Sequence, residues 1–147
     1  MGLLSKWESF RRTEPLARRL FLRAWFLSGF VRFTLQFLPF SKILAWKGKA
    51  GVESPSNAHP DSIAYRLALK RALVLCDRYT PWRTECYTRA LTGKILLNRK
   101  GLPGTVYVGF AKKPGGGYEG HAWLRSYDSH LTGAEEMGRF TVHSFFT

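Results

Sequence analysis

Cys86 is one of only two cysteines in the chain, and its neighbourhood suits a nucleophile. In "TPWRTECYTRALTG", Pro81 interrupts the preceding pattern and Thr84 offers its hydroxyl as the cap of a helix expected from Glu85 to about Asn98. Cys86 then falls in the first turn, where unpaired backbone N–H groups and about half a positive charge favour thiolate over thiol. A sulfur nucleophile also needs a base within hydrogen-bond reach, and His121 opens an expected strand after a glycine-rich turn. Such a pair would perform acyl transfer, with the sulfur attacking a carbonyl and the imidazole handling the proton. The same residues admit two other readings. A cysteine in a helix is commonly inert packing. Cys76, Cys86, His121 and His130 are also four potential zinc ligands, but they lack CxxC or HxxxH spacing and lie on three expected elements, so no metal or cofactor is expected.

The elements that must position this pair follow from periodicity. Pro15 fits the first turn of a helix running to about Phe37, which Pro39 ends. "KGKAGVESPSNAHPD" reads as a connector. Asp61 or Ser62 can cap a helix over "IAYRLALKRALVLCDR", whose apolar face is expected to hold Ile63, Leu67, Leu69, Ala72, Leu73 and Cys76, making Cys76 a core residue. After Pro103 the period becomes two. "TVYVGFA", "HAWLRS" and "RFTVHSFF" read as strands, "KKPGGGYEG" as a turn, and Tyr127 and Asp128 as a tight turn before "HLTG". Helices followed by an antiparallel meander define an α+β fold, with a basic aromatic helical region over residues 1–50 and a catalytic domain over 51–147.

The chain has 147 residues and 45% hydrophobic content, enough for one domain with a modest core and an appendage. Its 23 basic and 10 acidic residues give a net charge of +13, of which residues 1–50 carry +8, so the strongest electrostatic attraction belongs to the amino-terminal region. There Arg11, Arg12, Arg18, Arg19, Arg23 and Arg32 alternate with Trp7, Phe10, Phe21, Trp25, Phe26, Phe30, Phe33 and Phe37. This region could pack on the domain, lie on an anionic membrane or dock a partner. "AWFLSGFV" is far shorter than the roughly 20 residues a membrane span needs. With no cleavable secretion signal visible, a reduced, cytoplasmic chain is expected.

The run from "YTPWRTECYTRALTG" through "YVGFA" and "GHAWLR", over about residues 60–147, resembles the transglutaminase-like cysteine peptidases of bacterial lasso-peptide biosynthesis. The resemblance implies a helix carrying the cysteine packed on an antiparallel sheet, with Cys86 as nucleophile and His121 as base and acid. It implies hydrolysis of one bond in a ribosomally made precursor, releasing the leader. For the group orienting His121, Asp128 is too far along the hairpin, on the order of 20 Å at about 3.3 Å per residue. Relatives carry an aspartate near the position of Gly133, and Glu135 is the candidate substitute; a dyad or a backbone carbonyl stays open. Trp82 and Trp123, close to the pair in sequence, are candidates to line the peptide groove, with core packing as the alternative.

The resemblance further implies a stand-alone peptidase working with a separate precursor-recognition protein and an asparagine-synthetase-like cyclase, and residues 1–46 could dock either, the leader or a membrane. An acyltransferase using the same pair is the rival enzyme. The rival from another class is a non-catalytic basic protein on a membrane or nucleic acid, although scattered Lys and Arg without a recognition motif argue against nucleic acid.

Overall fold

Pro15 stands at the first position of helix α1 (Pro15–Phe37), where a missing N–H leaves no bond unmade, and the helix ends at an extended Leu38 before Pro39. In this computed structural model the described residues are 8, 10–39, 42–43 and 48–147; Trp7 and Lys47, assigned above to the aromatic region and the connector, lie outside them. Helix α2 (Ile63–Tyr79) follows a short 3-10 turn at Pro60–Ser62, and α3 (Cys86–Lys100) ends at Gly101, whose φ of 74° is the left-handed conformation that closes a helix. Four strands complete the chain: β1 (Thr105–Lys112), β2 (Tyr118–Ser126), β3 (Ser129–Thr132) and β4 (Thr141–Phe146). Among the described residues, these three helices followed by a four-stranded antiparallel sheet make the α+β architecture expected from the sequence.

The strand order β3-β2-β1-β4 departs from a plain meander. Only β1, β2 and β3 follow one another; the chain then crosses through residues 133–140 to pair β4 with the free edge of β1. β3 pairs only with Leu124, Arg125 and Ser126, so the half of β2 that carries His121 has no strand partner on that edge.

The buried face of α2 also differs from the expected one. Leu69, Ala72, Leu73 and Cys76 are buried, but Ile63 and Leu67 are exposed, and Arg66 turns inward. Its guanidinium donates to the Ser126 carbonyl (2.9 Å) and to Asp128 (2.8 Å), and its Nε to Ser62 Oγ (3.2 Å). A buried cation with this many acceptors is satisfied, and it fixes α2 against the β2–β3 turn. The expected caps are committed elsewhere: Ser62 donates to the His59 carbonyl, and Thr84 donates to Asp77 (2.8 Å). Neither α2 nor α3 has a side-chain cap, and the residue preceding α3 is Glu85, which makes Cys86 its first helical residue.

Ala17, Leu20, Ala24 and Val31 of α1 lie in the same core cluster as Leu69, Leu73, Leu97, Val106 and Leu124. Helix α1 therefore shares the core of the half formed by α2, α3 and the sheet, and the composition break near residue 50 marks a connector. That connector is tied down as well, with Ala50 bridging Phe146 and Ser54 bonded to the Thr105 hydroxyl.

Candidate active site

Successive side chains of β2 point to opposite faces of the sheet, and both sides are buried from His121 to Leu124. Ala122 and Leu124 join the core cluster beneath the helices, whereas His121 and Trp123 stack on each other as every second residue on the other side. Cys86, half-buried at the start of α3, meets this strand where its sulfur takes a backbone hydrogen bond from Ala122, the residue after His121, and another from Tyr87. The helix start and the histidine strand are thereby brought together.

The imidazole of His121 is 5% exposed and walled by rings, with Phe140 stacked at 4.8 Å and Trp123 at 5.8 Å between centroids. Its Nε2 lies 3.0 Å from the Gly133 carbonyl oxygen. A carbonyl only accepts, so Nε2 carries the proton in this contact, and Nδ1 is left with the lone pair needed for base chemistry. Gly133 has a φ of 71°, and a Cβ built there would stand 2.9 Å from His121 Nε2. The chain has thus put a backbone oxygen where the resemblance led one to expect a carboxylate near the same position. Glu135, two residues on, is exposed, and no bond joins it to His121 among the described residues.

The electrostatics of the thiol differ from the expectation raised by the helix start. Burial pushes the Cys86 thiol up, and Glu85 adds to this; the Ala122 and Tyr87 hydrogen bonds and the Arg89 charge pull the other way without overcoming it. Desolvation outweighs the helix end because the sulfur is half-covered by protein. Cys76, by contrast, is fully buried, and burial with the adjoining Asp77 pushes its thiol up to about 12. Both cysteines are free, and no group of three or more metal-ligating side chains exists among the described residues.

Trp82 packs against α1. Its ring lies 4.6 Å from that of Trp25 and its Nε1 donates to Ser28 Oγ (3.2 Å). Gly29 permits the approach, since a Cβ there would meet the indole at 3.1 Å. Trp123 is buried at 5% exposure and stacked nearly parallel to Tyr107, at 10° and 5.6 Å. Trp82 thus steadies the segment leading to Cys86, and Trp123 walls the imidazole.

Asp77 and Arg89 were missed by sequence reasoning. Asp77 takes the Thr84 hydroxyl on one oxygen and faces Arg89 on the other (3.4 Å), joining the end of α2, the loop before Cys86 and the first turn of α3. The i+3 spacing of Arg89 from Cys86 was the available signal, because it puts a cation on the same side of the helix one turn on.

A cysteine on the first turn of a helix, set against a strand whose histidine is held through one ring nitrogen by a carbonyl, has the residue types and placement that cysteine acyl-transfer chemistry uses. The sequence profile of the transglutaminase-like superfamily matches residues 33–144, and the chain belongs to that superfamily. The superfamily includes cysteine peptidases and transglutaminases. The match begins within α1, in keeping with the shared core. No curated protein and no solved structure matched the chain.

Proposed function

We propose that the protein is a cysteine peptidase that removes the leader from a ribosomally made lasso-peptide precursor, acting with a separate recognition protein and an asparagine-synthetase-like cyclase. The observation that carries the chemistry is the meeting of Cys86 with the strand of His121, whose Nε2 is occupied by the Gly133 carbonyl. The substrate class rests on the sequence resemblance running from "TPWRTEC" to "GHAWLR".

In this reading His121 Nδ1 takes the Cys86 proton as the sulfur attacks the scissile carbonyl. The resulting oxyanion is met by the Cys86 N–H, which has no partner within its helix. The imidazolium then protonates the leaving amine, which departs as the core peptide, and the leader stays on Cys86 as a thioester. Water, deprotonated by His121, attacks the thioester and releases the leader acid. An amine in place of water would make the enzyme an acyltransferase.

The test is incubation of precursor, recognition protein and this chain, followed by mass spectrometry. Wild type should give leader acid and free core, and Cys86→Ala should give neither; unchanged cleavage by that variant refutes the proposal. Leader joined to an added amine would assign the rival acyl transfer.

A further inference from the structure

Helix α1 is apolar on two opposite sides. Ala17, Leu20, Ala24, Ser28 and Val31 are buried against the domain, while Leu22, Phe26, Phe30, Phe33 and Phe37 are between 53% and 70% exposed. At 3.6 residues per turn these five fall within an arc of about 80° centred opposite the buried face, along a ridge roughly 22 Å long. A contiguous apolar surface of this kind marks an interaction site.

We propose that this ridge seats the protein on an anionic phospholipid surface. Arg19 and Arg23 are exposed at the amino-terminal end of the same side, and neither forms an ion pair among the described residues. Phe-rich apolar surface bordered by unneutralised arginines is complementary to a bilayer, whose acyl boundary takes the rings while its phosphates take the guanidinium groups. A protein partner fits less well. The arc between Leu22 and Phe37 presents only Leu and Phe, whereas protein interfaces carry about one hydrogen bond per 100–200 Å² to fix register. No helix among the described residues is long and apolar enough to cross the membrane, so the contact is one of lying on the surface.

Seating α1 in this way would also hold the reactive cysteine at the membrane. Trp82 rests on Ser28 and Gly29, and Arg32 donates to the Arg83 carbonyl, so the segment leading to Cys86 is fastened to α1.

Flotation of the full chain with vesicles tests the proposal. It should float with vesicles containing phosphatidylglycerol and stay behind with phosphatidylcholine alone. At about fivefold per arginine near an anionic surface, Arg19→Gln with Arg23→Gln should weaken binding on the order of 25-fold. Phe26→Ser, Phe33→Ser and Phe37→Ser together should abolish binding while leaving the circular dichroism melt unchanged. Three results would overturn it: no flotation with phosphatidylglycerol vesicles, full binding by the triple Phe variant, or a Phe-dependent dimer in solution with no vesicle binding, which would make the ridge a protein interface.

Discussion

Replacing Gly133 by alanine isolates the contact that orients His121. At φ 71° an alanine adopts the left-handed conformation at roughly 1–2 kcal/mol. Its Cβ would also stand 2.8 Å from Trp123 Cβ, 2.9 Å from the Ala122 carbonyl and 2.9 Å from His121 Nε2. Two of these neighbours belong to the backbone or its first side-chain atom and cannot swing away, so crowding adds about 1–3 kcal/mol. The total of roughly 2–5 kcal/mol corresponds to a fall in melting temperature on the order of 10 °C for a domain of this size. The Gly133 carbonyl must also move off the imidazole, releasing its tautomer and orientation. Gly101→Ala is the matched control. It has nearly the same φ, 74°, but nothing within 4 Å of the added Cβ, so it carries the conformational term alone. Thermal melts and leader-cleavage rates should therefore separate the two variants: Gly101→Ala loses about 1–2 kcal/mol and keeps its activity, while Gly133→Ala loses more stability and at least tenfold in rate. Equal behaviour of the two would refute the positioning role of Gly133.

Two further perturbations follow from charge. Arg89→Gln removes an influence that lowers the Cys86 thiol and should move the rise of its iodoacetamide alkylation to higher pH; Glu85→Gln removes one that raises it and should move the rise lower, with Cys76 unlabelled throughout. Arg66→Met leaves the Ser126 carbonyl without its buried donor and should lower stability to urea by roughly 1–3 kcal/mol. The Arg66 hydrogen bond holds the Asp128 carboxyl below its usual range, so the stability it gives is complete above the unfolded carboxylate value and is lost as pH falls through the lowered one. Asp128→Asn should flatten that part of the acid unfolding curve.

Much of the fold was legible because it is written in local signals. Pro15 and Pro39 bracket α1, Gly101 closes α3, and the change of period after Pro103 announces the strands. What escaped was set by contacts distant in sequence. The inward turn of Arg66 depends on a carbonyl and a carboxylate some 60 residues away, and it displaced Ile63 and Leu67 from the expected buried face. Thr84 has the right chemistry for a cap, but Asp77 competes for its hydroxyl once α2 and α3 are packed. At the site, the Cys86 and His121 pair could be nominated from residue type and the expected elements. The contact on His121 could not, because a backbone carbonyl leaves no residue signature except the glycine that lets the chain approach. The thiol's upward shift was likewise hidden, since burial of a helix start is a tertiary property.

In the proposed reaction Cys86 carries the acyl group of the cleaved peptide and His121 moves the protons. Acid-quenching the wild-type reaction during turnover and weighing the intact protein tests this most directly. A labile adduct of the leader's acyl mass is expected, mapped to the peptide containing Cys86 and absent from Cys86→Ser treated alike. Leader cleavage that proceeds with no adduct on Cys86, and at an undiminished rate in Cys86→Ala, would contradict it.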